Sequence, residues 1–445
     1  MNLYTLLGKR ADAGRPVRVG LIGAGKFATM FLSQARLVPG LHILAIAELD
    51  VARAEAALRR TGWPKGQARA KTCAGALASG ATWLTGDPFA LIAADGLDVV
   101  IDATGDPLAG IAHVEACARH GRHVVMVNVE ADALAGPVLA RRMEAAGLVY
   151  SLAYGDQPAL IAEQVDWARA IGMDVVAAGK GTLYMPEFHA STPDTVWDHY
   201  GLTAEQAAAG GMNPKMFNSF LDGTKSAIEM AAVANACGLA PPADGLAFPP
   251  CAPKDLCTTL IPKSAGGVLA GAGMVEVVSS RDRSGRDLAD DLRWGVYVTF
   301  SAPTDYVERC FAEYGLLTDP TGHFAALWRP YHLIGLELGI SVASVALRGE
   351  PTGSPRTFAG DVVAVAKRDL AAGEDLDGEG GFTVWGRLAP ARASLAANAL
   401  PIGMAGGVRL TCAVAQGQVL SLDDVALAAD HPALGVRAEL ANMVA

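Results

Sequence analysis

Cysteine is sparse and poorly spaced for structural use: seven residues, at 73, 117, 237, 251, 257, 310 and 412, an odd number with no C-x-x-C pair. Neither a disulfide framework nor a cysteine-built zinc site is indicated, and a reducing cytoplasm is the expected compartment. Basic runs are also missing. The chain has 36 Lys and Arg against 46 Asp and Glu, a formal charge of −10, and no run of five or more basic residues, so nucleic acid is not an expected partner. There is no uninterrupted apolar run of about 18–20 residues, which argues against a membrane span. The stretch from Met1 to Val17 carries Lys9, Arg10, Asp12 and Arg15 and lacks the apolar segment that a secretory signal requires.

What is present is the composition of a folded protein, 51% apolar and 18% charged over 445 residues, a length that suits about two to four domains. The first is expected over residues 1–155. Val17 to Ile22 reads as a buried strand and runs directly into Gly23-Ala24-Gly25-Lys26-Phe27-Ala28 and a helical pattern. This is the G-x-G-x-x-A form of the dinucleotide fingerprint, with Gly23 for the tight turn, Gly25 for close approach to a pyrophosphate and Ala28 for helix–strand packing. A chance glycine turn is the alternative. A second strand, Leu41 to Ala47, ends in Glu48, which favours the free 2′-hydroxyl of NAD; Arg53 and Lys26 would instead accommodate the 2′-phosphate of NADP. Two further apolar strands lead into Thr104-Gly105-Asp106-Pro107 and into Asn128, where the carboxyl ends of parallel strands form a cofactor crevice.

In the middle of the chain, the strand Asp174 to Ala178 is expected to deliver Gly179-Lys180-Gly181-Thr182 at its end. A lysine between two glycines there suits a phosphate, a carboxylate or a polarised carbonyl, and an exposed turn lysine is the alternative. Glu187 and His189 lie in a proline-bearing loop and read either as ligand contacts or as a loop network. The segment from Thr224 to Cys237 reads as a helix ended by Gly238, with Asp222 just before it and Lys215 and Asn218 on the preceding loop. Lys225 and Glu229 share one face. Asp222, Lys225 and Glu229 are therefore candidates to meet one substrate, against the plainer reading of a capped helix with an i,i+4 ion pair.

The combination of Gly23-Ala24-Gly25, Asn128-Val129-Glu130-Ala131-Asp132 and Asp222-Gly223-Thr224-Lys225 resembles the homoserine dehydrogenase superfamily, and Asp222 and Lys225 match its Asp/Lys pair. The family's loop carries a lysine close after its Asn, whereas Val129 and Glu130 stand there in this chain. Residues 361–375, Leu400-Pro401-Ile402-Gly403 and Val414 to Leu420 look like a SAF-type β-clip. Together these features resemble the type II deoxyxylulose-phosphate reductoisomerase-like proteins over nearly the whole chain.

The resemblance implies an α/β protein with an N-terminal Rossmann domain, an α+β homoserine-dehydrogenase-like catalytic domain over 156–350 and a β-rich SAF-like domain over 356–445. It also implies NADPH, a divalent Mg²⁺ or Mn²⁺, and conversion of 1-deoxy-D-xylulose 5-phosphate to 2-C-methyl-D-erythritol 4-phosphate in isoprenoid precursor synthesis. That chemistry needs carboxylates for a hard cation and a general acid/base. Glu130, Asp132, Asp222 and Glu229 are the carboxylates to supply it, and Lys180, Lys215 and Lys225 the cations for phosphate or carbonyl. A small phosphorylated or carboxylated substrate and a homo-oligomer are expected. Two other classes stay open: a dehydrogenase acting on a hydroxy acid or polyol without isomerisation, and a non-catalytic dinucleotide sensor.

Overall fold

The computed structural model describes residues 2–209 and 212–444. The chain divides into two units, Met1–Ala162 with His332–Arg356, and Glu163–Tyr331 with Thr357–Ala445.

The first unit is built on six strands: β1 (Val17–Ile22), β2 (Leu41–Ala47), β3 (Trp83–Thr85), β4 (Val99–Asp102), β5 (His123–Met126) and β6 (Tyr150–Leu152). They lie in the order β3-β2-β1-β4-β5-β6, and every pairing is parallel. Strands covered on both faces read as apolar runs rather than alternating ones, which is the pattern of β1 after Arg18, β2 after His42 and β4 before Asp102. The direction of winding reverses between β1 and β4, and ligands of open parallel sheets bind in the crevice at such a point. The helix Lys26–Ala35 buries Ala28, Phe31, Leu32 and Ala35, one stripe of its surface. The expected α/β class and N-terminal Rossmann fold are thus observed.

The second unit carries a mixed sheet ordered β10-β9-β7-β8, from β7 (Asp174–Thr182), β8 (Met274–Ser279), β9 (Val296–Ser301) and β10 (Phe324–Arg329). β7 is longer than expected and contains Gly179-Lys180-Gly181 in its body. A Cβ at Gly179 would overlap the Glu276 carbonyl oxygen, and one at Gly181 the Leu292 carbonyl oxygen. Close backbone packing therefore accounts for both glycines, and Lys180 is a buried strand residue rather than a loop lysine. Five further strands follow: β11 (Gly360–Ala366), β12 (Asp375–Asp377), β13 (Val384–Pro390), β14 (Gly406–Leu410) and β15 (Val425–Ala426). β11 pairs with β13 antiparallel, and β14 lies between β12 and β15.

The division into two units, each made of two stretches of chain, differs from the three consecutive segments expected from the sequence. Residues 332–356 return to the first unit because Leu338, Val342 and Val345, at and within the helix Gly339–Arg348, share a core with Val17, Val19 and Val99. Residues 357–445 belong to the second because β11 and β13 pack on the helix Thr224–Cys237. Among the described residues no helix is long and apolar enough to cross a membrane.

Asn235 fastens that packing. Fully buried on the helix Thr224–Cys237, it accepts the backbone N–H of Ala359 at 2.8 Å and of Gly360 at 2.9 Å through Oδ1, and donates Nδ2 to the Gly360 carbonyl at 3.1 Å. Asn235→Ala removes the side-chain partner of three backbone groups, and the expected outcome is a loss of about 1–3 kcal/mol for each that water or another partner cannot satisfy. Urea unfolding followed by tryptophan fluorescence measures it.

Candidate active site

In the first unit the glycine turn has the geometry that its sequence implied. Gly23 has φ +92°, and a Cβ there would meet the Ala103 carbonyl oxygen at 2.7 Å. Gly25 differs: a Cβ would find nothing within 4 Å, so open space lies beside the backbone where an anion would approach. Gly25 is also the N-cap of Lys26–Ala35 and supplies no side-chain hydrogen bond to it, leaving first-turn N–H groups available for an anion. Lys26 is exposed at this end and Phe27 half-buried. Glu48 Oε2 accepts the Ala24 N–H at 2.7 Å, and Arg53 lies 3.7 Å from Glu48 Oε1 with its side chain 59% exposed. The two residues with opposed coenzyme preferences are therefore neighbours. These residues fit a dinucleotide.

Thr104, Gly105 and Asn128 also come together, after β4 and β5. Buried Asp102 accepts the backbone N–H and Oγ1 of Thr104 at 3.0 and 2.7 Å, and His113 Nδ1 donates to its other oxygen at 2.9 Å. Asn128 Nδ2 donates to Thr104 Oγ1 at 3.1 Å and to the Asp106 carbonyl at 2.7 Å, while its Oδ1 caps the helix Val129–Ala145 through Ala131 N–H. Gly105 bridges these contacts with φ +71°.

The acidic pair after Asn128 separates. Glu130 is half-buried, but Asp132 is fully buried, its Oδ1 accepting the Tyr150 hydroxyl at 2.8 Å and its Oδ2 left without a partner. Burial pushes the Asp132 carboxyl up from 3.8 to about 7, against the Tyr150 hydrogen bond that lowers it. Asp132 is thereby a core residue and not an open cation ligand.

In the second unit two lysine–carboxylate pairs are buried. Lys180 pairs with Glu229. Asp222 pairs not with Lys225 but with Lys367 of the C-terminal segment, at 2.7 Å. The Lys367 ammonium donates its other two protons to the Ser191 and Gly381 carbonyls, both at 2.8 Å. Asp222 Oδ1 accepts Thr224 N–H at 2.9 Å. Burial pushes the Asp222 carboxyl up and Lys367 draws it back. Lys225 stands half-buried on the first helical turn, and Lys215 donates to the Asp377 carbonyl.

Beside this pair, His189 Nδ1 lies 2.7 Å from the Asp222 carbonyl oxygen. A carbonyl only accepts, so Nδ1 carries the proton; in the neutral ring Nε2 then accepts from the Tyr184 hydroxyl at 3.0 Å. The imidazole stacks on Trp385 at 3.8 Å, and the phenol on Phe248 at 3.9 Å. Burial lowers the His189 pKa, opposed by the Asp222 backbone bond and charge, with Lys367 lowering it further, so the ring is neutral at pH 7. The Met185–Phe188 side of this loop borders a cleft of about 450 Å³, to which Glu187, Asp198, His199 and Arg281 contribute polar groups.

Sequence reading missed Tyr184, Lys367 and Trp385. Lys367 ends the apolar run 362–366 as Lys180 interrupts that of β7, and a cation ending a buried strand was the available signal. No group of three or more His, Cys, Asp or Glu side chains that could hold a metal ion occurs among the described residues. With Asp222 and Glu229 taken by lysines and Asp132 in the core, three of the four expected carboxylates do not fit a hard cation.

Residues 155–338 match the family model described as "Oxidoreductase DRL, catalytic domain", which supports an oxidoreductase. No curated protein matches the chain. Among solved structures, a probable dehydrogenase from Thermotoga maritima is 14% identical, with 75% of this chain and 90% of that one covered, at a TM-score of 0.38. An oxidoreductase from Agrobacterium radiobacter, in complex with NAD+, L-tartaric acid and magnesium, is 14% identical over 76% and 91%, at 0.36. Scyllo-inositol dehydrogenase from Lactobacillus casei, with NAD(H) and scyllo-inositol, is 14% identical over 41% of this chain and 50% of that one, at 0.28. The chain thus spans half the length of that last protein. These likenesses are too distant to carry an argument about function.

Two outcomes are expected. Folded Asp132 keeps a proton that the unfolded chain releases between pH 3.8 and about 7, so stability present below that window is lost as pH rises through it. Asparagine cannot ionise; the melting temperature of Asp132→Asn should exceed that of the parent by more at about pH 8 than at about pH 5. Lys367→Met leaves the Asp222 charge buried alone and should cost about 3–5 kcal/mol, part of it recovered by adding Asp222→Asn, both read from chemical denaturation.

Proposed function

We propose that the protein is an NAD(P)-dependent oxidoreductase that interconverts a hydroxyl and a carbonyl on a small polar substrate. The observation that carries this reading is the open, uncapped N-terminus of Lys26–Ala35 at Gly25, a preformed place for a pyrophosphate. Gly23, Gly25, Lys26 and Phe27 would hold the phosphates, Glu48 and Arg53 would face the adenosine ribose, and Thr104, Gly105 and Asn128 would border the nicotinamide side. A nicotinamide coenzyme bound there supplies hydride exchange at the reacting carbon.

The proton is handled by the second unit. Tyr184 donates its hydroxyl proton to neutral His189, so its oxygen is free to take the proton of a substrate hydroxyl as its own moves to Nε2. The substrate carbon loses hydride, its oxygen loses a proton, and the carbonyl forms; reduction runs the same path backwards. Lys180, with Glu229 as its counter-ion, and Lys225 are proposed to polarise the carbonyl or hold an anionic group. The polar cleft beside Met185–Phe188 suits a hydroxylated substrate such as a sugar or polyol.

Reductoisomerisation of 1-deoxy-D-xylulose 5-phosphate is the more specific form of this proposal, adding a skeletal rearrangement to hydride transfer, and the SAF-like reading of the C-terminal segment accompanies it. A coenzyme absorbance screen with NAD and NADP against polyols, sugars, sugar phosphates and hydroxy acids, with product identification by mass and NMR, separates it from simple dehydrogenation. Gly25→Val should remain folded and lose coenzyme binding by calorimetry; unchanged binding overturns the assignment of the first unit. In the active assay Tyr184→Phe should lower turnover by about 10²–10⁴-fold. Oxidation requires neutral His189, so its rate should fall as pH drops through a value below the ordinary 6.5.

A further inference from the structure

The Tyr184 ring rests on a backbone turn that two charged side chains hold from opposite sides. Phe248 supplies the stacking surface, 3.9 Å between centroids and 13° between planes, and adopts φ +49°. A bulky side chain in this left-handed region is strained and persists only where its surroundings impose it. Here they do. The Glu276 carboxylate, buried on β8, accepts the N–H of Ala247 at 3.1 and 3.2 Å and of Phe248 at 3.3 Å. Arg283 Nη2 donates to the carbonyls of the same two residues, at 2.8 and 3.0 Å. Both donors and both acceptors of the dipeptide are thus engaged by one carboxyl group and one guanidinium; burial pushes the Glu276 carboxyl up to about 7, against the backbone N–H bonds that lower it. The Arg283 guanidinium also lies over the Tyr184 ring, 5.5 Å from its centroid.

We infer that Glu276 and Arg283 are positioning residues, which clamp Ala247-Phe248 in its strained form so that Phe248 holds the Tyr184 phenol in line with His189 Nε2. The inference rests on reading Tyr184 and His189 as the proton-exchanging pair. A ring held only by apolar packing would rock about its Cα–Cβ bond, and a displacement of about 1 Å is enough to cost about 10²-fold in a positioned proton transfer. The clamp removes that freedom, and its charge also reaches the phenol, where Arg283 favours the phenolate and Glu276 opposes it. Among the described residues, the Tyr184 hydroxyl hydrogen-bonds His189 and neither clamp residue.

Arg283 is exposed, so Arg283→Met tests the clamp without disturbing the core, and Phe248→Leu removes the stacking surface while keeping an apolar side chain. The primary measurement needs no substrate: protein labelled with 13C at tyrosine Cζ, with the Tyr184 resonance assigned by its loss in Tyr184→Phe. Both variants should shift and broaden that resonance, and Arg283→Met should raise the phenol's titration midpoint because Arg283 favours the phenolate. Phe248→Tyr, which keeps the stack, should restore the parent position. A Tyr184 resonance unchanged in both variants overturns the inference, whatever the enzyme does. In the coenzyme assay, Arg283→Met should lower kcat by about 10-fold or more with KM little changed, and should have no further effect in a Tyr184→Phe background. Full activity of Tyr184→Phe alone would instead overturn the proton-relay reading and leave the NMR result to decide the clamp. Equal losses from Arg283→Met with and without Tyr184 would mean that Arg283 acts elsewhere.

Discussion

One buried ammonium organises the second unit. Lys367 has three protons and three acceptors: the carboxylate of Asp222 and the carbonyls of Ser191 and Gly381. A charge so deeply enclosed is tolerable only when every proton is engaged, and a carboxylate among the partners balances it. Three stretches far apart in the chain, the loop ending at Ser191, the start of the helix Thr224–Cys237 and the turn around Gly381, are thereby tied to one atom. Asn218 repeats the tie through Ser191 and Gly380. His189 takes its orientation from the Asp222 carbonyl, so the imidazole depends on a lysine that it does not touch. The same engagement removes Asp222 and Lys367 from the groups free to exchange protons, which leaves Tyr184 and His189 as the pair proposed for that task.

Much of the first unit was legible because its signals are local. The strand, the turn Gly23–Ala28 and the helix are contiguous, and each glycine answers a steric or anionic demand within a few residues. Glu48 and Asn128 follow from their places at strand ends. The second unit was less legible because its pairings are long-range. Asp222 and Lys225 are close in sequence, but Asp222 found Lys367, 145 residues away. Glu229 likewise pairs with Lys180 rather than with its i,i+4 neighbour. Helical spacing limits which side chains share a face and says nothing about which strand will cover that face.

The glycines beside Lys180 show how one pattern has two physical origins. Glycine permits close approach by a ligand, and equally by another strand. At Gly25 no protein atom occupies the space a side chain would take; at Gly179 and Gly181 the carbonyls of Glu276 and Leu292 already do. Only the three-dimensional surroundings distinguish the two. The contrast also bears on charge. Near Gly25 the backbone offers N–H groups outward, whereas the glycines of β7 let its lysine sink into the sheet, where a counter-ion becomes obligatory.

The interleaving of the two units has a consequence for synthesis. The sheet of the first unit is complete once Leu152 has been made, yet Leu338, Val342 and Val345, which close its core, come only after the intervening part of the second unit. At about 5–20 residues per second, the roughly 185 residues between Leu152 and Leu338 take on the order of 9–37 s to emerge. For that interval the nascent sheet exposes the apolar surface those residues will cover. The second unit waits in turn, since Lys367 follows the closing helix of the first. Neither unit can finish on the ribosome before the other has begun, so the chain's folding order is braided rather than sequential.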